Sequence, residues 1–280
     1  MSIHFLEKKN PHPRDSHITF DEGPHIYTID GDSSFMSVTT WNHSHFEHFD
    51  ADKIIDSMMR SKKWPESKYF GMTKQQIKDQ WSNNGKEASE AGTKMHYDIE
   101  CYYNNMEVVN DSIEYTYFRN FEHDRTIGDD DKELKSQLPA TPTPYRTEWM
   151  VYDKQLKFAG SIDMLYEKPD GSLLIYDWKR SKGIEKVNRW NKFSTTECIG
   201  HLPDSNFWHY SLQLNTYKAI IEKNYGKKVV GMYLVCLHPE NKNKNYQVFK
   251  VSDLSKEVQD LFKLRLQMLE GESERANVEK

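Results

Sequence analysis

Residues 173–183 read LLIYDWKRSKG. Leu173 to Tyr176 form an apolar run that suits a buried β-strand. Asp177 and Lys179 follow two residues apart, and so on one face of that strand. Arg180 and Lys182 add further charge. A buried strand that ends in a carboxylate and an ammonium needs partners from elsewhere in the chain, and the segments around it show where they come from.

The hydrophobic period changes on both sides of this stretch. YRTEWMVYD, LKFAGSIDMLYEK and SLLIYDWKRS predict three strands joined by the turns DKQ and PDG. Residues 112–127 predict a helix, and the charged, proline-containing stretch 128–144 a loop. After a polar segment at 181–203, DSNFWHYSLQLNTYKAIIEKNYG predicts an amphipathic helix closed by Gly226. KVVGMYLVCLHP predicts a buried strand, 246–251 an edge strand and 253–271 a last helix. Towards the N-terminus, HITF, HIYTI and FMSVTTW predict short strands, and Ile54, Ile55, Met58 and Met59 have helical spacing. Thr73 and Gln76 predict a capping box opening another helix, with helical character resuming over 86–105. The whole is an α/β chain. Residues 1–16 read as a flexible lead-in and 17–280 as one domain: an N-terminal decoration (17–85), a core (86–240) and a C-terminal strand and helix (241–280).

Composition limits the function classes. Of 280 residues 36% are hydrophobic and 13% aromatic, enough for a core and against disorder. The net charge is −5, so any polyanion site is a local patch on an acidic protein. Cys101, Cys198 and Cys236 are widely spaced with no CxxC pair, against a disulfide framework, an iron–sulfur cluster or a zinc knuckle. A reducing intracellular compartment, cytoplasm or nucleus, is expected. No signal peptide, mitochondrial presequence or membrane span is evident.

In the predicted meander Asp163 and Asp177 lie on adjacent strands, where opposed side chains are about 5 Å apart. Two bare carboxylates there repel; a divalent cation removes the conflict, and carboxylate oxygens suit Mg²⁺ or Mn²⁺. Lys179 would then stand beside the metal to handle a water or to stabilise phosphate charge. The Trp178 carbonyl is a further candidate ligand, and Glu148 on the first strand a third carboxylate. In isolation, a surface salt bridge at a strand end is the better explanation of DxK. His96 and Glu100 lie at i, i+4 on one helical face, as do Gln213 and Tyr217 further on.

Together these residues resemble the PD-(D/E)XK nuclease superfamily in its RecB-like branch. Gly92–His96, Gly160–Asp163, Asp177–Lys179 and Gln213–Tyr217 match its GxxxH, GxxD, (D/E)xK and QxxxY motifs in order. The DWK form and the GTKMHYDIE helix resemble mitochondrial genome maintenance exonucleases, and SVTT and YFGMT resemble relatives encoded by large DNA viruses. The resemblance implies a restriction-endonuclease-like core, α-βββ-α-β, with a mixed sheet flanked by helices. It implies Asp163, Asp177, His96 and the Trp178 carbonyl as ligands of one or two Mg²⁺ or Mn²⁺ ions. Lys179 would act on the water, Gln213 would orient active-site groups, Glu148 would be the first-strand acid, and Tyr217 would contact a phosphate.

Arg180 and Lys182, continued by Lys186 and Arg189, are candidate DNA contacts, as are Ser37, Thr39 and Thr40. Trp190, Phe193, Phe207 and Trp208 could stack on unpaired bases or cap the core. His43, His45 and His48 have no zinc-finger spacing and zinc is not expected. The reading is a metal-dependent exonuclease acting on single-stranded DNA or DNA ends, with the oligomeric state open and a monomer favoured. An endonuclease of the same fold and a non-catalytic nucleic-acid-binding module are the alternatives.

Overall fold

The computed structural model describes residues 3–126 and 142–278, so most of the expected 128–144 loop lies outside the described residues. The predicted meander is present as β4 (Thr143–Asp153), β5 (Phe158–Glu167) and β6 (Leu173–Lys179), each antiparallel to the next. A parallel strand, β7 (Val229–Cys236), continues the sheet from β6, and β8 (Gln247–Lys250) closes its edge antiparallel to β7. A two-residue strand, β3 (Met36–Ser37), pairs parallel with the start of β5. The sheet is therefore mixed, and the α-βββ-α-β order expected for the core is met.

Helices cover both faces. On one side α6 (Asn206–Asn224) and α7 (Ser255–Val278) pack with α2 (Val38–His43). Their side chains Trp41, Phe207, Leu212, Ile220 and Leu261 meet Ile162, Ile175 and Leu234 of the sheet. On the other side α1 (Phe5–Lys9), α4 (Lys74–Tyr103) and α5 (Ile113–Thr126) supply Leu6, Ile99, Phe118 and Phe121 against Met164, Tyr166 and Trp178. A hairpin of β1 (Ile18–Asp21) and β2 (Ile26–Ile29) makes a third cluster on Tyr152 and Ala159. The remaining helix, α3 (Ala51–Arg60), is capped by Asp50 and buries Ile55.

Three expectations change. FMSVTTW is a strand for two residues only: the Ser37 hydroxyl accepts from the Thr40 amide and starts α2, whose Val38 and Trp41 are buried one turn apart. The Thr73–Gln76 capping box is present, but α4 runs without interruption for 30 residues instead of stopping and resuming. Residues 3–17 are also no loose lead-in. Leu6 is buried, and Arg14 lies 3.9 Å over the Tyr152 ring. Asp15 bridges Arg146 at 2.7 Å and accepts from Trp149 Nε1 at 2.9 Å.

Candidate active site

Strand register brings the acids together. The β5–β6 ladder ends at Met164 opposite Tyr176, so the next facing positions are Asp163 and Asp177, where the strands part. On the other side of β5, Thr147 pairs with Met164 and Trp149 with Ile162, which sets Glu148 opposite Asp163. Three carboxylates thus share one row across three strands. Glu148 sits there with a backbone φ of +43°, a left-handed conformation at a non-glycine residue within a strand. Such outliers persist where the surroundings hold them and concentrate at functional sites.

The parting of β5 and β6 opens the gap that α4 fills with His96. Its Nε2 lies 3.0 Å from the Trp178 carbonyl, while Nδ1 lies 3.5 Å from Asp163 Oδ2 and 3.6 Å from Glu148 Oε1. Ligand atoms of His96, Glu148 and Asp163 fall within 4.8 Å of one another, the one group of this kind among the described residues. The Trp178 amide donates to Asp163 Oδ2 at 2.9 Å, and Ser161 donates to Glu148 Oε2 at 2.8 Å. Burial alone would lower the His96 pKa, but Asp163 and Glu148 outweigh it and hold it up at about 9.

Asp177 and Lys179 lie on the α6 side, 2.6 Å apart from Oδ2 to Nζ. Although that oxygen is in ionic contact with Lys179, it makes no aligned hydrogen bond. Burial pushes the Asp177 carboxyl up to about 6 against the pull of Lys179. Burial opposes the Lys179 charge, yet Asp177 and Asp163 keep its pKa well above the usual lysine range. The Tyr210 ring, 4.5 Å from Nζ, covers the ammonium. A half-buried row of acids, one imidazole and an under-satisfied carboxylate oxygen form a donor set that fits a hard divalent cation. The Trp178 carbonyl is taken up by His96, and the metal-ligand grouping holds Glu148 in the place expected for Asp177.

The outer residues divide differently from expectation. Tyr217 does not reach solvent: it is buried under β5, its hydroxyl 2.6 Å from where a Cβ at Gly160 would stand. Gly160 is thus a glycine because Tyr217 occupies its side-chain space. Gln213 acts on the Tyr217 hydroxyl and lies 3.4 Å from Thr39 Oγ1, linking α6 to α2. Arg180, expected as a DNA contact, is tied to Glu114 of α5 at 2.7 Å and its side chain is 21% exposed. Lys182 remains exposed in a surface pair with Glu240, a contact that is easily exchanged. Ser37 uses its hydroxyl for the α2 cap, whereas Thr39 and Thr40 are exposed.

The histidine triplet separates. His45 is buried against Trp41, with its pKa pushed down to about 4 by burial, and His43 stays on the surface. Phe207 belongs to the core, while Trp190 is 83% exposed. Tyr210 went unmarked in the sequence; its signal was its place three residues before Gln213, on the same helical face. A cavity of about 900 Å³ between α1, α4 and α5, lined by Phe5, Tyr102 and Arg119, holds none of the acid row. Glu148 and Glu100 instead line a smaller recess of about 110 Å³ with Glu7. Burial, with Glu148 and Glu7 nearby, pushes Glu100 up to about 7.

A family model described as the PD-(D/E)XK nuclease superfamily matches residues 87–279. No curated protein matches the chain.

Proposed function

The chain belongs to the PD-(D/E)XK nuclease superfamily, and from that premise we propose that it is a Mg²⁺- or Mn²⁺-dependent exodeoxyribonuclease of the RecB-like branch, acting on DNA ends or single-stranded DNA in replication, repair or recombination. The observation that carries the reading is the convergence of His96, Glu148 and Asp163 within 4.8 Å, beside the buried Asp177–Lys179 pair. A divalent cation bound there would polarise the phosphodiester and lower the pKa of an attacking water. Asp163, Glu148 and His96 hold it, with Asp177 completing the negative side of the site. Lys179, kept charged by Asp177, suits stabilisation of phosphate charge better than removal of a proton. Gln213 and Tyr217 act from behind by fixing β5 against α6, and Thr39 and Lys182 face the backbone of the substrate. His96 on the helix before the meander supports the RecB-like branch, and the exonuclease reading with it. The free thiols of Cys101, Cys198 and Cys236 support a reducing compartment. Among the described residues no helix is long and apolar enough to cross a membrane.

The test compares linear single-stranded, linear duplex and covalently closed circular DNA, with Mg²⁺ or Mn²⁺. Linear DNA is expected to be degraded and circles spared, with Lys179→Ala slower by about 100-fold or more. Cutting of closed circles overturns the exonuclease assignment. Absence of products from every substrate with either metal overturns the nuclease reading.

A further inference from the structure

Helices α2 and α6 meet along facing residues one turn apart. Thr39 meets Gln213, and one turn on the His43 ring lies 5.5 Å from that of His209. Asp204 fixes His209 through a 2.9 Å contact to Nε2, and Phe46 packs on the same ring at 4.0 Å. His43 itself is exposed, like Thr39 and Thr40. Burial, and after it the nearby Lys179 ammonium, lowers its pKa. The loop beyond β6 presents Lys186, Arg189 and Lys192 with Trp190 between them, all exposed. Asn188 ties this loop to the Asp204 carbonyl at 2.5 Å, so the loop and His209 share one support.

A solvated surface histidine needs no such backing. Here the ring rests on a second histidine that is itself held by an acid, within reach of the Lys179 charge. An anion lying along α2 meets the imidazole and the two exposed threonine hydroxyls, with the Lys179 charge nearby. Thr39 and His43 are about 6 Å apart along the helix, on the scale of one nucleotide step. We propose that His43, backed by His209 and Asp204, contacts a backbone phosphate of the bound strand adjacent to the scissile one. This rests on the nuclease reading above.

The test scans a single methylphosphonate, which removes one backbone charge, through the linkages flanking the cleaved bond of an oligodeoxynucleotide. With all phosphates present, His43→Ala is expected to raise KM about tenfold, the loss falling on KM more than on kcat. His43→Lys should restore most of it, which a purely structural role would not allow. At one adjacent linkage the methylphosphonate should raise KM for the wild type, and there the wild type and His43→Ala should converge. An unchanged KM in His43→Ala, or a penalty equal at every methylphosphonate position, overturns the proposal. Fluorescence anisotropy of the same oligonucleotides in EDTA separates the two readings: His43-dependent binding without any cleavage leaves the phosphate contact standing and removes the nuclease.

Discussion

Glu148 pays for its place in the acid row with its backbone. At a φ of +43° a side chain costs about 1 kcal/mol that glycine does not. Glu148→Ala and Glu148→Gly both remove the carboxylate and should abolish activity alike. Glu148→Gly should nevertheless be the more stable by about 1 kcal/mol in urea unfolding, reversing the usual order within a strand. If Ala is the more stable, the backbone there is not left-handed. His96 gives a second measurable consequence. Its pKa of about 9 means that, below that pH, a metal must displace a proton to reach the imidazole. Mn²⁺ affinity by calorimetry should therefore rise about tenfold from pH 7 to pH 8, with about one proton released, and His96→Ala should flatten that slope. The sequence already marked Asp163, Asp177, Lys179 and His96, because motif spacing fixes which strand face or helix turn a residue occupies. It could not show the strain at Glu148, which arises from pairing with β5, nor the Tyr210 cover on Lys179, which depends on how α6 docks.

At the scale of elements, local rules read well and pairing rules less so. The Thr73–Gln76 capping box was legible because it uses four consecutive residues. FMSVTTW misled because its run of β-branched residues, Val38 to Thr40, outweighed one serine that caps a helix. Tyr217 misled for the opposite reason: it follows Gln213 by one turn, but the side chain enters the sheet interface. That contact gives a prediction. A Cβ at Gly160 would stand 2.6 Å from Tyr217 Oη and 2.8 Å from Cε1, so the buried ring would have to shift within a packed core. Gly160→Ala should cost roughly 1–3 kcal/mol, and most of that cost should vanish in a Tyr217→Ala background. Additive losses in a double-mutant cycle would show that the two residues do not touch. Gly92 is the contrasting case, since a Cβ there would meet nothing within 4 Å. Gly92→Ala within α4 should stabilise by about 0.5–1 kcal/mol, read as a higher Tm.

Across the whole molecule, Asp15 is a main link between the N-terminal segment and the acid row. Asp15 contacts Arg146 and Trp149, which flank Glu148 at two positions before and one after. The Arg146 side chain is buried and also donates to the Asn10 carbonyl at 3.0 Å. The N-terminal segment therefore grips β4 on both sides of its strained residue, a link that composition could not reveal because 1–16 is polar and lacks any strong period. Breaking a buried ion pair from one side leaves the other charge without compensation, at about 3–5 kcal/mol. Asp15→Ala should lose stability of that order in chemical unfolding. Asp15→Asn, which keeps an acceptor for Trp149, should lose less. The two variants should also weaken Mn²⁺ binding in the same order, because Glu148 would no longer be held towards Asp163 and His96. A fall in stability with metal affinity unchanged would mean that the segment supports the fold alone, and that Glu148 keeps its conformation through β5 and Ser161 without help from Asp15.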